Sequence, residues 1–501
     1  MISHPIIVGV AQFTQRGKIA HPLDPMGLMT KTSLAALTDA CASRLKETID
    51  SVRVIHLFQW SYRNAPGELS ERLDLKPRET LYLPMGGNTP QMAVNQAARD
   101  LAAGRCRAVL LTGAEAIYSL RRALKGEIVL DWPESRPPEK LDGENINGFD
   151  NLEERYDLYY PSYMYPLFET SLRASLGRST EEHRMYMGKV FERLSRIASQ
   201  NPYAWSQKAL CAEEIATPTE KNRYIGYPYT KYMNANVDVD QAASVILTTE
   251  KTARSLGIPE DKWIYPTGGA EFQDIWYVNR RPCLHASPAI RHASQIALKQ
   301  AGLILEDIDF FDIYSCFPSA FEIARKEIGI PEFDSRDLSV TGGLPFFGGP
   351  GNNYTLHAIA SVVERIRKNR LQKAMVTANG WYLTKHAIGI YAGFPSVFPW
   401  SDRNDSAVQR SIHDSALPAP IEKAHGLLTV EAYVIRHDKT GQPQKGTVLG
   451  KLEDGGRTLA DMDANSEELL HMENFELVGR RGPVRYDEAA SRNFFRFSNN
   501  D

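Results

Sequence analysis

A glycine-rich turn that opens into an amphipathic helix and then a buried strand occurs twice in this chain. The first copy begins at Met85-Gly-Gly-Asn-Thr-Pro90 and the second at Phe347-Gly-Gly-Pro-Gly-Asn-Asn353. In the first copy a Thr-Pro pair suits the start of a helix, and a strand is predicted over residues 107–112. In the second copy, apolar residues at helical spacing lead to a strand over residues 373–378.

A second matching pair of elements lies upstream of each turn. Residues 33–46 are predicted to form a helix that leads into a strand over residues 49–54. The counterpart begins at Ser287-Pro288, a cap followed by a first-turn proline, runs to Gly302 and leads into a strand over residues 308–313. The order helix, strand, glycine turn, helix, strand occurs twice, which predicts an α/β fold of two similar halves.

Length and charge narrow the class of protein. The chain has 501 residues, 43% of them hydrophobic, which is enough for more than one domain with sizeable cores. A net charge of −3 gives no electrostatic reason to expect nucleic acid as a partner. No apolar run approaches the roughly 20 residues that a membrane span needs. The segment from Met1 to Val8 lacks the pattern of a signal peptide, so we expect a cytoplasmic protein.

The cysteines give no sign of a disulfide framework or a metal site. They are odd in number, widely scattered and without a C-x-x-C pair. We therefore predict five free thiols and no bound metal: Cys41, Cys106, Cys211, Cys283 and Cys316.

Changes in composition mark the domain bounds. Residues 1–114 and 235–270 are predicted to form the N-terminal half, and residues 271–410 the C-terminal half. Between them, residues 115–234 are rich in Tyr, Pro and charged residues. Within that stretch the capping box Ser179-Thr-Glu-Glu182 precedes an amphipathic helix. We interpret the stretch as an inserted, mostly helical loop domain.

The last part of the chain, residues 421–501, follows a polar linker over residues 401–420. Residues 427–435 alternate between apolar and polar, residues 438–441 suit a turn, and residues 446–450 begin another short strand. This pattern predicts a small β-rich domain, similar to a partly open barrel of the OB type. Its mixed charges and few aromatic residues argue against binding of nucleic acid.

Several segments resemble the thiolase superfamily. Gly87-Asn-Thr-Pro-Gln-Met-Ala-Val94 stands where thiolases carry their nucleophile turn and the following helix. Asp240-Gln-Ala-Ala-Ser-Val245 resembles the strand by which the chain returns from the loop domain to the core. Tyr314-Ser-Cys-Phe317 resembles the His-Asp-Cys-Phe motif of sterol-carrier-type thiolases. Gly342-Gly343 and Gly348-Gly-Pro350 resemble the Gly-Gly and Gly-His-Pro segment.

The nearest resemblance is to thiolase-like proteins of type 1, a branch of this acetyl-CoA acetyltransferase-like superfamily with an extra C-terminal domain. It implies a duplicated α/β/α/β/α core over roughly residues 1–410, with an inserted helical loop domain. It also implies a coenzyme A thioester as ligand and no other cofactor. Relatives commonly pair through the core, so the resemblance leaves a homodimer and a monomer open, and the C-terminal domain is a candidate surface for a protein partner.

The resemblance also implies that the usual catalytic side chains are missing. Thiolases need a cysteine nucleophile, a histidine that activates it, and a second cysteine that moves a proton. Residue by residue, these positions fall at Gly87, Gly349 and Ala378. The Asn or His that helps to hold a thioester oxygen falls at Tyr314.

A small alignment error does not restore the missing groups. Neither Cys nor His occurs over residues 81–101 or residues 341–356. The backbone N–H groups of Gly87, at the start of a helix, and of Gly380 are still expected to form an oxyanion hole. A thioester carbonyl could then be polarised without attack by a cysteine.

Four side chains are candidates for chemistry, each with an alternative structural role. Tyr314 is either a hydrogen-bond or proton donor or a core aromatic residue. Cys316 is either a reactive thiol or a packing residue. Tyr382 and His386, which cluster with Lys385 in the segment after Gly380, supply an acid or base, unless His386 and Lys385 are surface loop residues.

Two functions follow from these observations. The first is an acyl-CoA-directed protein of the acyltransferase type that is not a conventional thiolase. The alternative is a non-catalytic acyl-CoA or lipid-binding protein, or a scaffold.

Overall fold

The structure, a computed structural model, describes residues 4–497. The first three and last four residues, which include the outer ends of two predicted domains, lie outside the described part. The β-strands within it are β1 (Pro5–Thr14), β2 (Ser51–Val54), β3 (Glu79–Tyr82), β4 (Ala108–Ala116), β5 (Tyr224–Tyr227), β6 (Tyr229–Thr230), β7 (Asp240–Thr249), β8 (Tyr265–Gln273), β9 (Phe310–Asp312), β10 (Lys373–Gly380), β11 (Lys385–Ala392), β12 (Gly426–His437), β13 (Pro443–Leu452), β14 (Arg457–Met462), β15 (Arg481–Asp487) and β16 (Arg492–Phe495).

The α-helices of the same region include four long ones that flank the sheets of the core. In chain order they are α1 (Pro25–Asp39), α2 (Ala65–Arg72), α3 (Thr89–Ala102), α4 (Ile117–Leu124), α5 (Asn151–Arg155), α6 (Pro161–Ser175), α7 (Thr180–Gln200), α8 (Ala212–Ala216), α9 (Glu250–Leu256), α10 (Pro288–Ala301), α11 (Pro318–Ile328), α12 (Tyr354–Lys368), α13 (Ser406–His413) and α14 (Ser466–Met472).

Two mixed sheets form the core. The first has the strand order β1-β7-β4-β2-β3 and the second has the order β8-β11-β10-β9. Helices α3 and α12 lie between the sheets, while α1 covers the outer face of the first sheet and α10 that of the second. The layers therefore run α/β/α/β/α, and the duplicated fold expected from the repeat is confirmed.

Local sequence signals explain where the helices begin. Ser287 caps α10 by accepting a hydrogen bond from the Ile290 amide (3.2 Å), and the capping box at Ser179 precedes α7 as predicted. The predicted helix over residues 33–46 has the wrong bounds. The helix spans Pro25–Asp39 because Asp24 caps it through the Gly27 amide (2.7 Å).

The loop domain and the C-terminal domain share one sheet. Its order is β13-β14-β16-β15-β12-β5-β6, and an additional β13–β12 pairing closes the C-terminal strands into a small barrel. Strands β5 and β6 come from the loop domain, and Tyr227 pairs with Ile435 of β12. The linker over residues 401–420 is not entirely irregular, since it contains α13.

All five cysteines are free, as predicted. Over residues 4–497, no helix has the length and apolar character that crossing a bilayer requires.

Candidate active site

The candidate site lies where the glycine turn before α3 meets the adjoining ends of β10 and β11. The second glycine turn supports the first. The Asn352 side chain accepts a hydrogen bond from the Gly86 amide (2.9 Å) and donates one to the His56 carbonyl oxygen (2.9 Å). Thr355, in the first turn of α12, donates to the Gly87 carbonyl oxygen (3.2 Å). The two copies of the repeat therefore meet at this site.

Tyr314 fills the space beside Gly87. The Tyr314 amide donates to Thr377 Oγ1 (2.8 Å), which fixes the residue against β10. A β-carbon on Gly87 would clash with the Tyr314 hydroxyl oxygen, would lie 2.9 Å from Cζ of the same ring and would lie 2.5 Å from the Asn379 carbonyl oxygen. Burial raises the pKa of the Tyr314 phenol well above its usual range, so the hydroxyl stays a proton donor.

The backbone at the glycine turn offers a free donor. Gly87 is buried, and no acceptor within residues 4–497 is hydrogen-bonded to its amide N–H. This amide lies just before the N-terminus of α3, where the helix dipole is positive. Gly380, the last residue of β10, lies next to this turn. A β-carbon on Gly380 would clash with the Asn88 side chain, which shows how close the two residues are. The structure therefore brings Gly87 and Gly380 together.

Lys385 enters the site from β11, directly opposite Gly380 in the β10–β11 ladder. Its amine donates a hydrogen bond to the Met85 carbonyl oxygen and lies 2.8 Å from the point where a β-carbon on Gly86 would sit. Lys385 is only 9% exposed. Burial lowers its pKa to about 8, because charging an amine away from water costs free energy.

His386 points to the other face of β11, as expected for neighbouring residues of a strand. Its Nε2 atom lies 3.2 Å from Asp274 Oδ2, although the ring is not aligned for a hydrogen bond. Burial alone would raise the pKa of Asp274, but His386, Arg281 and Ser287 together hold it below its usual range. His386 and Lys385 are thus buried strand residues, and the alternative that placed them in a surface loop is wrong.

A small cavity lies between α10, α11 and the ends of β10 and β11. Its polar side chains are those of Tyr314, Thr377, Asn379 and His386. Most of the remaining lining is apolar. The cavity therefore brings two of the sequence-predicted residues, Tyr314 and His386, to the same space.

Tyr382 lies away from this cavity. Its hydroxyl donates to the Tyr159 carbonyl oxygen (2.6 Å), and burial raises the pKa of the phenol above its usual range. The turn around it is strained, because Trp381 (φ 56°) and Leu383 (φ 51°) adopt left-handed conformations that residues with a side chain rarely take. The Trp381 carbonyl oxygen is held by the Tyr165 hydroxyl (2.8 Å). Tyr382 thus connects this turn to the loop domain.

Cys316 is buried behind the site. The Asn379 amide donates to its sulfur (3.8 Å), and the same amide also donates to the Tyr165 hydroxyl (2.8 Å). Burial raises the pKa of the Cys316 thiol to about 12, so the thiol is protonated at neutral pH.

Two residues at the site, Asn88 and Asp274, did not emerge as candidates from the sequence. Asn88 follows Gly87 directly, and its position at the cap of α3 was a signal that could have singled it out. Lys385 was predicted to belong with Tyr382 and His386 to a cluster that supplies an acid or base, with a surface loop as the alternative. Asp274 gave no signal, because its partner His386 is more than a hundred residues away in the chain.

The chain is similar to known proteins both in its C-terminal domain and over its whole length. The model of the thiolase-like protein type 1 additional C-terminal domain matches residues 407–489. The crystal structure of a monomeric SCP2-thiolase-like protein type 1 from Mycobacterium smegmatis is 32% identical to the chain. The match covers 99% of both chains with a TM-score of 0.85.

More distant relatives share only part of the sequence. Human mitochondrial 3-ketoacyl-CoA thiolase in complex with CoA is 15% identical, with a TM-score of 0.56 over 78% of this chain and 98% of that one, which shows the common fold. The 3-ketoacyl-CoA thiolase of Cronobacter sakazakii is 29% identical over 22% of this chain, and the match spans only 26% of that thiolase's length.

Proposed function

Because the chain belongs to the SCP2-thiolase-like protein type 1 family of the thiolase superfamily, we propose that it binds an acyl-CoA thioester at the Gly87 turn without forming an acyl-cysteine. One observation carries the proposal. The Gly87 N–H is a buried donor without a partner among the described residues, and the Tyr314 hydroxyl lies directly beside Gly87.

A thioester carbonyl fits these two donors. Its oxygen would accept hydrogen bonds from the Gly87 amide and the Tyr314 hydroxyl, and the α3 N-terminus would stabilise negative charge that develops there. Gly380, the second position expected in the oxyanion hole, lies beside the same turn. Binding and polarisation of the thioester therefore need no cysteine side chain of the protein.

Any reaction must use other groups. Cys316 is protonated at neutral pH, since burial raises the pKa of its thiol to about 12. Tyr314 and His386 line the same small cavity, and they are the candidates for acid and base. The Tyr382 hydroxyl already donates a hydrogen bond to the Tyr159 carbonyl oxygen. The reaction class that fits these groups is cleavage or formation of a bond next to a polarised thioester. The acyl group is not transferred to the protein in such a reaction.

Isothermal titration with CoA and acetyl-CoA, combined with assays of thiol release and carbon–carbon cleavage, tests the proposal. Heat together with turnover supports an acyl-CoA-directed enzyme. Heat without turnover supports the alternative, a non-catalytic acyl-CoA binding protein. An absence of heat with both ligands overturns binding and leaves a scaffold that acts through a protein partner of the C-terminal domain.

A matched pair of variants places the ligand. Gly87→Ala puts a β-carbon against the Tyr314 hydroxyl and Asn379, whereas a β-carbon on Gly349 would meet no heavy atom closer than 3.4 Å. We expect Gly87→Ala to weaken acetyl-CoA binding about tenfold or more, which corresponds to about 1.4 kcal/mol, and Gly349→Ala to bind as the wild type does. Wild-type affinity in folded Gly87→Ala would place the ligand elsewhere.

A monomer is the proposed assembly state. The exposed edge of the first sheet is β3, and its last residue, Tyr82, is already paired with the loop residue Asp142. The Tyr82 amide donates to Asp142 Oδ2 (2.9 Å), and the Asp142 amide donates to the Tyr82 carbonyl oxygen (2.8 Å). Light scattering of the purified chain tests this proposal, and a mass of twice 56.2 kDa would contradict it.

A further inference from the structure

The side-chain oxygen of Asn379 is a buried acceptor that the proposed function leaves unused. Asn379 is 5% exposed, and its Oδ1 atom has no hydrogen-bond partner within residues 4–497. The orientation of the amide follows from Tyr165. The Tyr165 hydroxyl donates its one proton to the Trp381 carbonyl oxygen (2.8 Å), so towards Asn379 (2.8 Å) it can only accept. The NH₂ group therefore faces Tyr165, and the free atom is the oxygen.

Asn379 and His386 are directly opposite each other in the ladder of β10 and β11. Both line the small cavity between α10 and α11, as expected for cross-strand neighbours on one face of a sheet. His386 makes no hydrogen bond to the free oxygen, and its Nε2 atom lies against Asp274 Oδ2 (3.2 Å). The acceptor is therefore available to a group that enters the cavity.

The cavity adjoins the place proposed for the thioester. Tyr314 lines the cavity, and the hydroxyl of the same residue lies beside Gly87. Asn379 also borders both spaces, because its carbonyl oxygen is 2.5 Å from the point where a β-carbon on Gly87 would sit. The free space of the cavity is about 10 Å³, roughly what one water-sized group needs. The cavity therefore admits one small substituent of an acyl group bound at the turn.

A hydroxyl group and a ketone oxygen are similar in size, so their hydrogen-bonding capacity separates them. A hydroxyl can donate to Asn379 Oδ1 and still accept a hydrogen bond from a donor in the lining, such as the Thr377 hydroxyl. A ketone oxygen only accepts, so it would leave the Asn379 oxygen unpaired in a buried site. The free acceptor therefore favours a hydroxyl.

We propose that the acyl group carries a hydroxyl close to the thioester and that this hydroxyl donates to Asn379 Oδ1. The site then selects hydroxyacyl thioesters over ketoacyl thioesters, and Asn379 is the residue that determines this specificity. The inference rests on the proposed function, since it assigns the acyl group of the same thioester.

Three probes with the same number of heavy atoms test the inference: 2-hydroxybutyryl-CoA, 3-hydroxybutyryl-CoA and acetoacetyl-CoA. In isothermal titration we expect the wild-type protein to bind at least one hydroxybutyryl-CoA about tenfold or more tightly than acetoacetyl-CoA. Asn379→Leu, which keeps the size of the side chain but removes the acceptor, should bind all three probes equally. Cys316→Ala removes a contact of the NH₂ group of the same amide (3.8 Å) and should keep the wild-type preference.

Each outcome decides the inference. If the wild-type protein binds acetoacetyl-CoA as tightly as both hydroxybutyryl thioesters, the hydroxyl site is overturned and the proposed function stays intact. An absence of binding of all three probes by the wild-type protein removes the proposed function as well. A hydroxyl preference that survives in Asn379→Leu also overturns the inference. If Asn379→Leu does not fold, the wild-type ranking and Asn379→Ala, expected to lose the same preference, still decide it.

Discussion

The hydroxyl group of Tyr314 occupies the space that a side chain on Gly87 would need. The two residues are far apart in sequence and belong to opposite halves of the repeat, yet each restricts what the other can be. A cysteine at position 87 and a tyrosine at position 314 cannot coexist in this geometry. Gly87 and Tyr314 are therefore sterically coupled.

A double-mutant cycle tests this coupling. Gly87→Cys is expected to lower the free energy of unfolding by about 1–3 kcal/mol because it overpacks a closed space. In a Tyr314→Ala background the same change should cost less. In Tyr314→Phe it should still be destabilising, because Cζ of the ring would remain 2.9 Å from the new β-carbon. Urea denaturation measures the free energy of unfolding of the wild type, the single variants and the double variants, and additive effects in the alanine background would contradict the coupling.

Lys385 is expected to lower stability at neutral pH. Burial lowers its pKa to about 8 in the folded chain, while the unfolded chain titrates near 10.5. Between these pH values the unfolded state binds more protons, so this residue's unfavourable contribution is complete below pH 8 and disappears as the pH rises to about 10.5. We expect Lys385→Met to stabilise the protein by about 1–3 kcal/mol at pH 7.

The difference in free energy of unfolding between Lys385→Met and the wild type separates the effect of Lys385 from that of other groups that titrate at high pH. Urea denaturation at pH 7 and pH 10 should show the gain shrinking at the higher pH, while Lys251→Met, a change on the exposed face of α9, shows no change at either. If the gain in free energy of unfolding stays constant or grows from pH 7 to pH 10, burial does not destabilise the charged form of the Lys385 amine.

The pair of Asp274 and His386 predicts an acid-sensitive contribution to stability. The folded-state pKa of Asp274 is depressed, so its stabilising effect is present above the usual value of 3.8 and is lost as the pH falls through the folded-state value. Asp274→Asn leaves His386 and Arg281 without their acid and should cost about 3–5 kcal/mol at pH 7. Thermal unfolding between pH 7 and pH 3 should show a smaller fall in Tm with falling pH for this variant than for Asp261→Asn, a control change at an exposed residue.

Thiol reactivity distinguishes the structural and reactive roles of Cys316. Burial raises the pKa of this thiol to about 12, whereas Cys41 and Cys211 are exposed. Iodoacetamide at pH 8 should modify the two exposed thiols first, because the thiolate is the reacting form, and should leave Cys316 unmodified in the native protein. Peptide mapping by mass spectrometry gives the order. Early modification of Cys316 would indicate a thiolate and reopen a role in catalysis.

The sequence indicated the fold because the repeat is local. Each glycine turn, helix and strand lies within a continuous stretch, so spacing and capping residues such as Ser179 and Ser287 predict the elements. The predicted bounds of the first helix were wrong because apolar residues also recur at helical spacing over residues 33–46. Its start depends on the Asp24 cap, which fixes the helix upstream of that window.

The sequence by itself determined two similar halves and the absence of Cys and His at the glycine turns, since both follow from the order of residues. Only the tertiary structure decided which side chains surround the first glycine turn. Tyr314, Lys385 and Asn88 lie on different elements and meet at the glycine turn because β9, β10 and β11 are paired in one sheet against α3. Burial then gives Lys385 its altered pKa, and burial is a property of packing that residue order does not contain.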